Sequence, residues 1–178
     1  MKKKVKIDFH THLFEATDYR PLTKELVAEV IGILRERGLD GIGVTEHFDK
    51  DFGFKFQSIV EKEFNGAILV FPGWEIDARV DNHNYQVTEL YLPEKRMFRT
   101  YCHPGYPSAD IVLDNVQGIE LNNALHDWHM NKERIQEVAR KHDLLTFSVS
   151  DAHRVKDVGR YHTELDLEDL YSLAIPYS

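Results

Sequence analysis

The chain has 178 residues, 42% hydrophobic and 29% charged, the balance of one soluble globular domain (1–178) with a core of useful size. Its net charge is −8 and no basic block interrupts it, which excludes a protein whose main task is binding long nucleic acid. An acidic site that reaches a phosphate through metal cations is not excluded, because the cations reverse the local sign.

The single cysteine, Cys102, rules out an intramolecular disulfide. The opening MKKKVKID reaches Asp8 and His10 without an apolar run, and no stretch approaches the length of a membrane span. The expectation is a cytoplasmic protein with no membrane partner. Nothing in the sequence signals an oligomeric state.

Taken in chain order, short β-branched runs alternate with amphipathic stretches. VKIDFH (5–10) reads as a first strand. LTKELVAEVIGILRERG (22–38) reads as a helix, with Leu22, Leu26, Val30 and Ile33 at helical spacing and Gly38 as its stop. DGIGVTEH (40–47) is a second strand and FKFQSIVEKEF (54–64) a short helix. AILVFPGWEI (67–76), NYQVTELYL (84–92) and FRTYCHP (98–104) are the next three strands. SADIVLDN (108–115) reads as a short helix and GIELNN (118–123) as the sixth strand. NKERIQEVARKHD (131–143) is a helix, LLTFSVSDAH (144–153) the seventh strand, and LDLEDLYSLAI (165–175) a closing helix. The alternation predicts an α/β fold of parallel strands joined by crossovers. An eight-unit barrel needs roughly 200 residues or more. A distorted (β/α)7 barrel therefore fits best, with an open doubly wound sheet as the alternative.

The predicted strands end in residues that can bind metals. The first ends in His10 and His12, the second in Glu46 and His47, the third in Glu75. The fifth ends in His103, the sixth in Glu120 and Asn122, the seventh in Asp151 and His153. In a parallel α/β fold these C-terminal ends share one face, where sites are built. Converging imidazoles and carboxylates point to a metal cluster, and that donor mixture suits Zn, Mn or Fe better than Ca. His83, just before the fourth strand, reads equally as ligand or turn residue. His126, His129 and His142 read as solvated or capping side chains, His162 as structural, and Cys102 as a small buried hydrophobe. GxSxG and GxxxxGK[ST] are absent, so neither a nucleophile elbow nor a phosphate-cradling loop is expected. Phe52, Phe54 and Phe56 are expected to be exposed, as a cover for the site or as an interface.

DFHTH, TEH, GWE, CHPG and SDAH, in that order, resemble the PHP (polymerase and histidinol phosphatase) family, from residue 7 to about residue 162. The resemblance implies a distorted (β/α)7 barrel holding two or three divalent transition metal ions at the strand C-termini. It implies that His10, His12, Glu75 and Asp151 bind a first metal. Glu75 would bridge to a second metal with His103 and His83, and His47 and His153 would hold a third. Family members often place a further His or Asp soon after HxH; here the nearest candidate is Asp18. The implied activity is hydrolysis of a phosphomonoester or short phosphodiester by metal-activated hydroxide, with Asp151 or His153 handling protons. The implied partner is a small phosphorylated substrate, and Arg154 and Arg160 are the expected cations to position it. Two alternatives stay open at this point: an amidohydrolase-like enzyme cutting a non-phosphate bond, and a non-catalytic metal-binding domain.

Overall fold

β1 (Lys4–Asp8) pairs parallel with β2 (Gly41–Val44) on one side and antiparallel with β8 (Thr163–Asp166) on the other. These assignments come from a computed structural model that describes residues 4–177. β3 (Leu69–Val80) pairs parallel with β2. β4 (His83–Leu92) runs antiparallel to β3 and to β5 (Arg96–Tyr101). β6 (Gly118–Asn123) and β7 (Leu145–Val149) then follow parallel to β5. The order is β7-β6-β5-β4-β3-β2-β1-β8, with the short β9 (Ile175–Pro176) paired to the start of β5.

The sheet curls into a nearly closed barrel. On one rim the chain after β1 meets the chain after β7 through a parallel bridge of Thr11 with Ala152. Asp151 N–H donates to His10 O at 2.9 Å, and His12 N–H donates to Ala152 O at 3.0 Å. Buried Asp8 latches the same seam by accepting from Ser150 N–H at 3.0 Å, from the Ser150 hydroxyl and from Gly159 N–H at 2.7 Å. Farther down, β8 fills the gap, and the Thr163 hydroxyl bridges to the backbone N–H and C=O of Ser148.

Five helices complete the fold. α1 (Leu13–Ala16) is a single turn after His12. α2 (Lys24–Glu36) starts at Thr23, whose side chain accepts from Leu26 N–H, and buries Val27, Val30, Ile31 and Leu34 along one face. α3 (Phe52–Phe64) lies directly on β2 and β3. It can do so because residue 53 is glycine: a Cβ there would stand 2.9 Å from Pro72 Cα and Val44 O. α4 (Lys132–Lys141) packs on β6, and α5 (Leu167–Leu173) sends Leu170 into the core. Ile7, Phe9, Phe71, Leu90, Phe98, Phe147 and Leu170 form one apolar cluster within the barrel.

Four expectations are corrected. The fold is a mixed barrel, not seven parallel β/α units. β4, β8 and β9 run against the other strands. Only Asp81–Asn82 separate β3 from β4, and only Pro93–Lys95 separate β4 from β5. Connections that short cannot hold a crossover helix, so the strands must reverse. Second, 108–115 forms no helix; Ile111 and Leu113, two apart, both pack against the cluster around Tyr85 and Tyr101, which an extended segment permits and a helix does not. Third, α5 starts only at Leu167, because 163–166 is drawn into β8. Fourth, Phe52 and Phe56 are buried on the inner face of α3. Their four-residue spacing follows the helix, and only Phe54 is exposed, stacked on Tyr91.

Candidate metal centre

The C-terminal rim gathers side chains from most of the chain around Glu75. Its Oε2 lies 3.1 Å from His10 Nε2, 3.2 Å from His12 Nε2 and 3.3 Å from His47 Nε2. Its Oε1 lies 3.3 Å from His103 Nε2. Asp151 faces the same centre, with Oδ1 at 3.2 Å from His12 Nε2, 3.5 Å from His153 Nδ1 and 3.6 Å from His10 Nε2. His10, His12, Glu75, His103 and Asp151 are all buried, while His47 and His153 stand at the mouth.

The surroundings fix how each ring is presented. His10 Nδ1 lies 2.7 Å from Glu120 Oε1, so Nδ1–H donates outward and the Nε2 lone pair faces the centre. Glu120 is itself held by His103 N–H at 2.7 Å and Asn123 Nδ2–H at 2.9 Å. Asn123 also donates to Asp151 Oδ2 at 3.0 Å. His153 Nδ1–H donates to Asp151 O at 3.0 Å, which turns its Nε2 to the mouth. Trp74 Nε1–H donates to His47 O at 3.0 Å and steadies the loop after β2. His103 and Asp151 adopt left-handed φ values of +26° and +51°.

The electrostatics are those of a site built for cations. Burial alone would disfavour protonated His10, but the Asp151, Glu75 and Glu120 carboxylates outweigh it and hold the ring well above its ordinary range. Burial likewise opposes protonation of His12, yet its contacts with Asp151 and Glu75 raise it to about 9. Against the desolvation that would raise them, the imidazoles hold Glu75 and Asp151 well below the usual carboxylate range. His47 is lowered by burial and by His12. Glu46, buried behind α1 with one oxygen accepting from Phe14 N–H, is raised by burial to about 7.

The donor set fits divalent metal ions. His10 Nε2 and His12 Nε2 stand 3.0 Å apart beside the Glu75 carboxylate, where a metal ion that displaces their protons would meet both nitrogens. Asp151 Oδ1 is buried and makes no hydrogen bond among the described residues, although three imidazoles surround it. Four groupings have their donor atoms within 4.8 Å of one another: His10–His12–Asp151; His12–Glu15–His47–His153; His103–His126–Asp151; and His10–Cys102–Glu120. The Cys102 thiol in the last is buried and pushed well up by desolvation and the nearby carboxylates, so it stays a neutral neighbour of His10.

His10, His12, His47, Glu75, His103, Asp151 and His153, all singled out from sequence, therefore come together. His83 does not: it sits at the far tip of the β3–β4 hairpin, paired with Val80. Asp18 lies in an exposed turn after α1, with φ at +54°. Its expected place is taken by Glu15, whose Oε2 is 3.8 Å from His153 Nε2. The available signal was position, since Glu15 follows His12 by one helical turn. His126 is the other residue the sequence reading set aside. It does lie in a loop, but its ring stacks on His103 at 4.2 Å and its Nε2 is 3.6 Å from Asp151 Oδ2. Burial and His103 together lower it to about 4. His129 backs it, Nε2 to His126 Nδ1 at 3.0 Å. The HDWH loop leaves β6 at the same rim as the other ligands, which is the clue its local sequence did not supply. Arg154 and Arg160 are exposed and line a cleft of about 260 Å³ with Asp151 and His153.

A family model described as PHP-associated matches residues 129–173, the segment that carries SDAH. That match covers about a quarter of the chain. Among solved structures, the chain resembles PsfC from Pseudomonas syringae, with a TM-score of 0.66 and 19% identity over 93% of this chain and 83% of that one. It also resembles a protein of Bifidobacterium adolescentis provisionally named a metal-dependent phosphoesterase, with a TM-score of 0.69 and 12% identity over 95% of this chain and 96% of that one. At such identities the likeness is one of fold. No curated protein matches the sequence. No helix among the described residues is long and apolar enough to cross a membrane.

Proposed function

We propose that this protein is a metal-dependent hydrolase of phosphate esters of the PHP type, acting on a phosphomonoester or a short phosphodiester. The observation that carries the reading is Glu75, whose two oxygens are shared among the imidazoles of His10, His12, His47 and His103. One carboxylate so placed suits adjacent cations. In this reading His10, His12, Glu75 and Asp151 hold one metal; Glu75, His103 and His126 a second; and His47, His153 and Glu15 a third. Zn, Mn or Fe suits these donors. Such ions, when bound, supply Lewis-acid stabilisation of a phosphoryl group at neutral pH.

The chain's own residues do the rest. Asp151, kept ionised by its imidazole neighbours, serves as a ligand. His153 is held by its Nδ1–H bond to Asp151 O and lines the cleft, where it takes or returns a proton when the third metal is absent. Arg154 and Arg160 present guanidinium forks to a small phosphorylated substrate in that cleft. The test is phosphate release from 4-nitrophenyl phosphate and bis(4-nitrophenyl) phosphate by protein stripped with chelator and reconstituted with Mn²⁺, Zn²⁺ or Fe²⁺. Turnover that returns with metal and is lost in Glu75→Ala supports the reading. Absence of turnover with every metal, while metal is bound, removes it.

A further inference from the structure

Two clefts of opposite chemistry meet at the metal centre. The first carries His153, Arg154 and Arg160. The second, about 620 Å³, is lined by His47, Phe48, Trp74, Glu75, Ile76 and Asp77. That volume lies within the roughly 300–1,000 Å³ of ordinary small-ligand pockets. Its walls are apolar and aromatic, no cation lines it, and its only charge beyond Glu75 is exposed Asp77. Phe48 is 75% exposed, although it sits beside the buried cluster with its ring 5.9 Å from that of His47. Because Phe48 lines the cleft, its bare ring is open to a ligand held there. Trp74 is pinned by its hydrogen bond to His47 O, so one wall is rigid.

The adjacency decides which part of a substrate goes there. Glu75 is both the floor of this cleft and the carboxylate at the middle of the cluster. A phosphoryl group at the cluster thus neighbours both clefts, since Asp151 and His153 line one and His47 and Glu75 the other. We propose that the Phe48–Trp74 cleft is the leaving-group subsite, and that it selects phosphomonoesters of uncharged, planar or apolar alcohols. This rests on the phosphoesterase reading above. Ring faces are electron-rich and Asp77 is anionic, so an anionic leaving group is repelled where an aromatic one stacks. The reaction is R–O–PO₃²⁻ plus water giving R–OH plus HPO₄²⁻. Water oxygen bonds to phosphorus, the ester P–O bond breaks, and one water proton ends on the leaving oxygen.

The test compares three esters of primary alcohols on metal-reconstituted protein: 4-nitrobenzyl phosphate, ethyl phosphate and 2-phosphoglycolate. The expected kcat/KM order is nitrobenzyl, then ethyl, then phosphoglycolate. Phe48→Ala lowers the nitrobenzyl-to-ethyl ratio about 10-fold, and Asp77→Asn raises the phosphoglycolate-to-ethyl ratio. Unchanged ratios in both variants overturn the assignment while leaving the phosphoesterase reading intact. If no ester is hydrolysed, that reading fails, and binding decides the cleft. With Trp128→Phe, Trp74 is the sole indole of the chain. Titrating this Zn²⁺-reconstituted protein with 4-nitrobenzylphosphonate gives saturable Trp74 quenching, weakened about 10-fold by Phe48→Ala, if the cleft takes a ring. No saturable quenching overturns the proposal.

Discussion

Glu120 Oε1 and His10 Nδ1 stand 2.7 Å apart with both side chains buried, so the inner edge of the first histidine is fixed by a strand more than a hundred residues away. Both oxygens of Glu120 are engaged, Oε1 with His10 and Oε2 with His103 N–H and Asn123 Nδ2–H. It holds His10 in the tautomer that offers Nε2, and it does so while accepting from His103 and Asn123. Glu120→Gln is therefore expected to weaken metal binding about 10- to 100-fold, by analogy with other carboxylate–histidine pairs. Competition titration against a chromophoric chelator reads this directly. Unchanged affinity would mean that His10 needs no such support.

The loss of Glu75 should be larger than the loss of any single imidazole. Glu75→Ala removes the one group common to His10, His12, His47 and His103. Mass spectrometry of the purified variant is expected to find at most one metal per chain, against two or three in the parent. Equal occupancy in the two proteins would assign the bridging role elsewhere.

His126 gives a more selective outcome. It approaches Asp151 and stacks on His103 but makes no contact with His12 or His47. His126→Ala is predicted to remove one metal equivalent and leave the others. Loss of every metal would show the positions to be interdependent.

The pH dependence of the metal-free protein follows from the shifted groups. His12 is raised from 6.5 to about 9 in the folded state. Its contribution to stability is fully present below about 6.5 and is lost as pH rises through about 9. Glu75 and Asp151 are held below their ordinary values of 4.5 and 3.8. Their contribution is present above those values and is lost as pH falls below them. Chelated protein should have its highest Tm between about pH 4.5 and 6.5. Added Zn²⁺ should shift that optimum upward, because metals displace the protons from His10 and His12. Melting curves across pH, with and without chelator, check the direction; a chelated optimum above pH 8 would contradict it.

Asp8 tests the seam of the barrel. Removing its carboxyl in Asp8→Ala strands the buried N–H groups of Ser150 and Gly159. The expected cost is about 3 kcal/mol in urea unfolding, at the upper end for unpaired buried donors. Glu25→Ala on the exposed face of α2 is the control and should change stability by less than about 0.5 kcal/mol.

The local pattern of the chain determined a good deal. The helical spacing of Leu22, Leu26, Val30 and Ile33, and of Ile135, Val138 and Ala139, marked α2 and α4, although the face that α2 buries is that of Val27, Val30, Ile31 and Leu34. The metal-capable residues after the apolar runs marked β1, β2, β3, β5 and β7 as the strands that feed one rim. Their short-range order, HTH to DAH, needs no tertiary knowledge to be read. Only the tertiary structure decided strand direction at β4 and β8, because direction depends on whether a connection is long enough to cross the sheet, not on the strand's own residues. It also decided which polar residues join the site. His83 has a ligand's chemistry but stands beyond the rim on a hairpin, and Asp8 shares the parity of His10 yet closes the barrel. His126 and Glu15 look like loop and helix residues in sequence and reach the centre in space. A metal site is defined by where donor atoms converge, and convergence among β1, β3, β5, β6 and β7 is a property of how the sheet curls, which no single stretch of sequence contains.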